Sequence, residues 1–302
     1  MFAKPFLASL VHDDGVTAMA RNPRRLNCLL SGAADGDIRL WDIPARRCLR
    51  RLKGHTGAVK GLSVTPDGEG CVSAATDCTV KLWKVPFAPF DGGPVEEDEA
   101  PVMEFSGKHA FRGIDHHWER PQFATAAAAV EIWDHSRAEP TQTYEWGADT
   151  VTSVRFNPAE PDVFGTTGSD RSIALYDLRA GAPVRKLVMA TKSNAMAWNP
   201  MEPLNFTVAN EDSALYTYDM RRLRSALCVH RDFVSAVMDV DYSPTGREFV
   251  AGSYDRSLRI FPAGGGHSRE VYHTKRMQRV FAVRFSGDGS YVFSGAAVGW
   301  RG

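Results

Sequence analysis

The chain has 302 residues, 36 of them basic (Lys or Arg) and 36 acidic, so its formal net charge is zero, and 43% are hydrophobic. That length and apolar content are enough to bury a large core, while the charge balance argues against bulk electrostatic binding to nucleic acid or membrane. Five scattered cysteines, never spaced Cys-x-x-Cys, indicate neither a zinc site nor a disulfide framework and point to a reducing compartment.

In chain order, the apolar start up to Val11 is too short for a signal peptide and runs into His12-Asp13-Asp14; within it Phe6 to Leu10 is expected as a strand. Six later strands each close on an aromatic, at Trp41, Trp83, Trp133, Tyr176, Tyr218 and Phe261, at intervals of 42, 50, 43, 42 and 43 residues. Such a period marks a repeat protein. Asp35, Asp77, Asp170, Asp212 and Asp255 stand six positions before five of these aromatics, as turn residues leading into the strand. In the third repeat Ala127 occupies that position, and the apolar run Phe123 to Val130, far short of a bilayer span, is expected as a second strand despite its helix-favouring alanines. The longest interval holds an insertion at 86–101 with Asp91-Gly-Gly-Pro and Glu96-Glu-Asp-Glu, expected as a solvated, mobile loop, either a tolerated surface insertion or an acidic docking segment. A seventh unit begins at Phe281, turns at Gly287-Asp-Gly and resumes at Tyr291; its aromatic would fall near position 304, so this unit is expected to be truncated after about 295.

Side chains alternate along Ile38-Arg39-Leu40-Trp41, so both faces of each unit carry apolar groups and neighbouring units must pack around an axis. Blocks such as Asp35-Gly-Asp-Ile-Arg-Leu-Trp41-Asp42 resemble WD repeats, which implies an all-β, seven-bladed WD-repeat propeller over 5–302 with an incomplete last blade. The resemblance also implies polar chains of His55, Ser73, Asp77 and Trp83, and of His12, Ser31, Asp35 and Trp41, with a stability role. A Ser-His-Asp set recurring in successive blades is no single active site. No unique nucleophile or phosphate loop stands outside the repeat, so neither an enzyme, a cofactor nor a small-molecule substrate is expected.

Longer strings, among them Gly113-Ile-Asp-His-His-Trp118, Trp198-Asn-Pro-Met-Glu202, Leu215-Tyr-Thr-Tyr-Asp-Met-Arg221 and Val237-Met-Asp-Val-Asp-Tyr-Ser-Pro-Thr-Gly246, are similar to the Sof-type WD-repeat proteins of the small-subunit processome. The resemblance implies a nucleolar, non-catalytic scaffold that meets processome proteins and pre-rRNA ribonucleoprotein. It implies as an alternative a substrate receptor of a cullin-RING ubiquitin ligase reached through the DDB adaptor. Family members carry a segment before Phe-Ala-Lys-Pro-Phe and a basic helical region after the propeller, neither of which this sequence contains.

Residues just before the turn aspartates, Thr76, Ser169, Glu211 and Tyr254, are expected on one face and in contact with proteins. Asp177 with Arg179, and Asp219 with Arg221, resemble the aromatic-Asp-x-Arg ending recognised by the DDB adaptor, the alternative being plain surface ion pairs. Arg46, Arg47, Arg50 and Arg51 on the outer strand of blade one, with Lys275, Arg276 and Arg279 near blade seven, form a basic rim. It could touch rRNA phosphates or simply guard strand edges. His116-His117 lie on opposite strand faces and are expected to be packed or hydrogen-bonded beside Trp118, with no metal.

Overall fold

The computed structural model describes residues 6–85, 96–97, 100–145, 150–273 and 278–297. Within them lie six blades of four antiparallel strands and a two-stranded seventh unit; strands pair in chain order within each blade, except that a short strand at Glu96–Glu97 adds to the edge of blade one before the chain returns to complete blade two with Met103–Ser106. The inner strands are Val16–Arg21, Val59–Val64, Gly113–His116, Val151–Phe156, Ser193–Trp198, Val237–Tyr242 and Val280–Phe285. Each touches the next around the axis, and the last touches the first, so the ring closes.

All six aromatics fall in the third strands, next to the final residue, and all are buried. Each sits opposite an apolar residue of the second strand: Leu29, Cys71, Phe123, Phe164, Phe206 and Phe249. Phe164 stacks on Tyr176 at 4.9 Å and Phe249 on Phe261 at 5.4 Å between centroids. Large rings buried on both sheets explain the rigid period, because each contributes roughly 1.5–3 kcal/mol by leaving water.

The turn aspartates work through the backbone. Oδ1 of Asp35, Asp77, Asp170, Asp212 and Asp255 accepts the N–H two residues on, at 2.8 to 3.1 Å. The residue between is left-handed in every case: Gly36 (φ 89°), Cys78 (63°), Arg171 (65°), Ser213 (62°) and Arg256 (64°). A side-chain acceptor that fixes the turn makes this conformation tolerable for a residue with a Cβ. In blade three, Trp133 Nε1 donates to Thr125 Oγ1 at 2.9 Å, but Ala127 offers no such acceptor.

Three expectations are corrected. Phe6 to Leu10 form no strand; Leu10 packs against the cluster of Met19, Leu29, Trp41 and Ala282, while Phe6 and Leu7 are exposed. The alanine-rich run splits, with Gln122–Ala126 as second strand, a bend at 127–129, and Val130 opening the third strand. Cross-strand pairing outweighs the helical preference of isolated alanines. Most of the 86–101 insertion lies outside the described residues, but Glu96–Glu97 is a strand rather than loop, its backbone pairing parallel with Arg50–Arg51 on the outer edge of blade one.

The seventh unit, strands Val280–Phe285 and Val292–Ala296, turns through Gly289 (φ 72°), with Asp288 Oδ1 accepting from Ser286 Oγ at 2.5 Å. It seats on blade one as other blades seat on their neighbours. A Cβ on Gly295 would come within 2.7 Å of Val16 Cγ1, as one on Gly32 would of Val59 Cγ1 at 2.6 Å.

Candidate interaction surfaces

Beneath one face of the ring runs the polar chain of blade two. His55 Nδ1 meets Asp77 Oδ2 at 2.9 Å, His55 Nε2 meets Ser73 Oγ at 2.7 Å, and Trp83 Nε1 donates to Ser73 Oγ at 2.8 Å. Burial drives the His55 pKa down, so the ring is neutral at pH 7. Burial opposes ionisation of Asp77, yet hydrogen bonds from Thr79 and His55 hold its pKa at about 2. In blade one the chain is shorter than expected. His12 Nε2 and Trp41 Nε1 both meet Ser31 Oγ at 2.6 Å, but Asp35 makes no bond to His12, whose Nδ1 has no hydrogen-bond partner among the described residues. The carboxylate work passes instead to Asp13 and Asp37, each gripped by Arg39 and Arg51 at 2.6 to 2.9 Å. Asp13, Asp35 and Asp37 bring carboxylates within 4.8 Å of one another. The two guanidiniums already fill that cluster.

Thr76, Ser169, Glu211 and Tyr254 are placed alike. Their backbone N–H groups donate to Ala58, Thr150, Lys192 and Ala236, in the loop entering the same blade, at 2.8 to 3.0 Å. Their side chains therefore stand on the turn-aspartate face. Tyr254 meets Phe281 edge-on at 5.7 Å and lies under the Arg279 guanidinium at 5.5 Å. Arg279 thus belongs to this face and is not part of an outer basic rim; Lys275 and Arg276 lie outside the described residues.

Antiparallel connectivity puts the aromatic-Asp-x-Arg endings on the opposite face, and their geometries differ. Asp177 Oδ1 accepts the Arg179 backbone N–H at 2.9 Å, while the Arg179 guanidinium turns away to Asp162, which also takes Arg120 at 2.9 Å. Arg221 grips its own Asp219 with Nε and Nη2, the latter at 2.7 Å. Both arginine side chains remain largely exposed, at 76% and 64%. Arg46 (φ 53°) and Arg47 are exposed at the start of the outer strand of blade one, whereas Arg51 is committed to Asp13 and Asp37 and Arg50 pairs backbone to backbone with Glu96.

His116 and His117 are both buried. His117 Nε2 bonds the Pro161 carbonyl at 2.7 Å and its ring stacks on Trp118. His116 Nε2 lies 2.9 Å from His135 Nε2, a neighbour that linear spacing did not disclose. Burial takes the His116 pKa to about 4.

A further feature escaped the sequence reading. Every inner strand but that of blade three carries a bulge one residue after its start, at Thr17, Lys60, Thr152, Asn194, Met238 and Phe281. These side chains ring one mouth of the central channel. Three of them fasten a blade to its successor: Thr17 Oγ1 to Val59 O, Thr152 Oγ1 to Ser193 O at 3.0 Å, and Asn194 Nδ2 to Val237 O at 2.9 Å. Superposing the repeats on their inner strands would have aligned these positions, but nothing in their residue types announces a bulge.

Residues 5–42, 46–84 and 223–261 match the family described as WD domain, G-beta repeat. Across 98% of its length the chain is 49% identical to DDB1- and CUL4-associated factor 13 of Xenopus laevis and 48% identical to the protein of that name from Homo sapiens. Across 100% of its length it is 47% identical to Protein SOF1 of Saccharomyces cerevisiae, and it spans 66% of the length of each of these relatives. With nearly half of its residues identical over essentially its whole length, the chain belongs to the WD-repeat family that includes DDB1- and CUL4-associated factor 13 and SOF1.

Proposed function

We propose that this chain is a non-catalytic scaffold in ribosome biogenesis, holding processome proteins on the maturing small-subunit rRNA in the nucleolus. The observation that carries this reading is the 47% identity to SOF1 over the whole length of the chain. The described polar clusters support it as well. In blade two the buried His55, Ser73 and Asp77 are spent on one another and on Trp83, which ties that blade together beneath one of the two large faces of the ring. Thr76, Ser169, Glu211 and Tyr254 serve one face. Purification of the tagged chain from nucleolar extract tests the reading: small-subunit processome proteins and pre-rRNA should co-purify above a propeller control. Recovery of neither would refute it.

A second reading, a substrate receptor of a cullin-RING ubiquitin ligase, draws on the names of relatives such as DDB1- and CUL4-associated factor 13 and on the exposed guanidiniums of Arg179 and Arg221. Replacing both arginines with alanine should abolish recovery of the DDB adaptor and leave the melting temperature nearly unchanged, because exposed ion pairs contribute little to folding. Undiminished recovery would dismiss the role of these residues.

A further inference from the structure

Most charged groups along the channel have partners. Asp239 Oδ2 takes the Val283 N–H at 3.0 Å and Arg284 Nη1 at 2.7 Å, Asp241 Oδ2 takes the Phe285 N–H at 2.9 Å, and Asp115 Oδ2 takes the Phe156 N–H at 2.8 Å. Lys60 and Arg112 are different. Lys60 is the bulge residue of blade two, half-buried, and Arg112 is exposed immediately before the inner strand of blade three, its backbone N–H bonded to Ala126 O at 2.7 Å. Both side chains line the same cavity of about 100 Å³ at the channel mouth, and neither has a hydrogen bond or ion pair with another described residue.

Two neighbouring cations in a recess repel one another and lose hydration, with nothing to offset either cost. Burial, and then the charge of Arg112, lower the Lys60 pKa accordingly. An anion bridging the pair would reverse both effects. Lys108, exposed in the loop that leads to Arg112, extends the positive field outward. Across the mouth the wall is apolar, formed by Met238 and Phe281, with Phe281 braced against Tyr254. The intervening hydroxyl and amide groups of Thr17, Thr152 and Asn194 are engaged in fastening blades.

We propose that this mouth is a binding site for an acidic segment of a partner protein, in which one Asp or Glu carboxylate bridges Lys60 and Arg112 while an adjacent apolar side chain rests on Met238 and Phe281. A nucleic-acid backbone is the poorer fit. It presents evenly spaced charges that call for a track of cations, whereas here the only basic side chains without an acidic partner among the described residues of the lining, Lys60 and Arg112, stand together with apolar Met238 and Phe281 opposite, Arg155 and Arg284 being paired with Asp115 and Asp239. The proposal adds a partner chemistry to the scaffold reading and depends on that reading only for who the partner is.

Fluorescence anisotropy on the full 302-residue chain tests it, using a labelled, end-blocked octapeptide with two central glutamates between phenylalanines, its glutamine counterpart, and a ten-nucleotide oligouridylate. The glutamate peptide should bind at least about tenfold more tightly than the glutamine peptide, and rising salt should weaken it. Lys60→Gln with Arg112→Gln should remove that preference with the melting temperature unchanged. Arg112→Gln alone, at an exposed position, should lower it severalfold, which keeps the test open if the double variant folds poorly. Equal binding of the two peptides, or an undiminished preference in the variants, overturns the proposal. So does oligouridylate binding that depends on Lys60 and Arg112 where the glutamate peptide fails to bind, an outcome that would assign the site to phosphate. Because the peptides are synthetic, failure here leaves the co-purification test of the scaffold role untouched.

Discussion

Replacing Trp83 with alanine removes an indole that is 1% exposed, packed against Gly54 and bonded to Ser73 Oγ at 2.8 Å. Truncation of a buried Trp costs about 3–5 kcal/mol, and at this chain length about 2 °C of melting temperature is lost per kcal/mol, so a drop of roughly 6–10 °C is expected. The hydrogen-bonded chain makes a sharper claim. Ser73→Ala leaves both the indole N–H and His55 Nε2 without their partner, each at about 1–3 kcal/mol. Trp83→Phe keeps most of the ring and removes the donor. In the double variant Ser73→Ala, Trp83→Phe the indole N–H no longer exists to be stranded, so the loss should fall short of the sum by about 1–3 kcal/mol. Thermal melts with urea titrations at pH 7 measure all four corners of the cycle. A Trp83→Ala melt within error of wild type, or strictly additive single variants, would refute the chain as a connected unit.

Burial lowers the pKa of His12 and His116 to about 4 and shifts His55, His117, His135 and His230 the same way. These rings stay neutral when folded and take protons when unfolded, so their contribution is complete above about pH 6.5 and is lost as pH falls toward 4. Asp77, held near 2, moves only below that window. The melting temperature should therefore fall steadily from pH 7 to 5, and a flat profile would contradict the histidine environments. Gly36→Ala should destabilise the ring far more than Gly181→Ala. Both glycines have positive φ, but a Cβ at Gly36 would lie 2.4 Å from the His55 carbonyl while nothing lies within 4 Å at Gly181; equal melts would argue against that contact. Amide exchange at Leu7 to Leu10, outside any strand, should be much faster than at Ile38 to Trp41, and comparable protection would show that the segment is paired.

What was legible in the sequence was whatever repeats locally. The interval between aromatics placed the third strands because each ring must meet the same sheet gap, and the turn aspartates were visible because an Asx turn is written within three residues. The blade-two polar chain was expected only through the resemblance to WD repeats. The blade-one chain departs from that expectation, because Arg39 and Arg51 draw on Asp13, 26 and 38 residues away, and no local rule foretells that Asp35 would be left out. Arg179 illustrates the same limit: its neighbour Asp177 was the obvious partner, yet Asp162 from another strand end wins it. The pairing of His116 with His135, and the backbone of Glu96–Glu97 lying along Arg50–Arg51, arise only once blades are formed. The bulges are invisible for another reason. They are a property of register, and the residues that occupy them, two threonines with lysine, asparagine, methionine and phenylalanine, have no one chemistry in common.

That lack of shared chemistry has an evolutionary meaning. A bulged residue sits outside the ladder, so its side chain can change without shifting the register of the strand that carries it. Six such positions encircle the channel mouth, and lysine, methionine and phenylalanine are accommodated there beside threonine and asparagine. The mouth is thus a panel of independently mutable sites mounted on a fixed frame. A paralogue could exchange its ligand by substituting two or three of these residues, and a designer could vary Lys60, Met238 and Phe281 in a library while leaving the fastening residues Thr17, Thr152 and Asn194 in place.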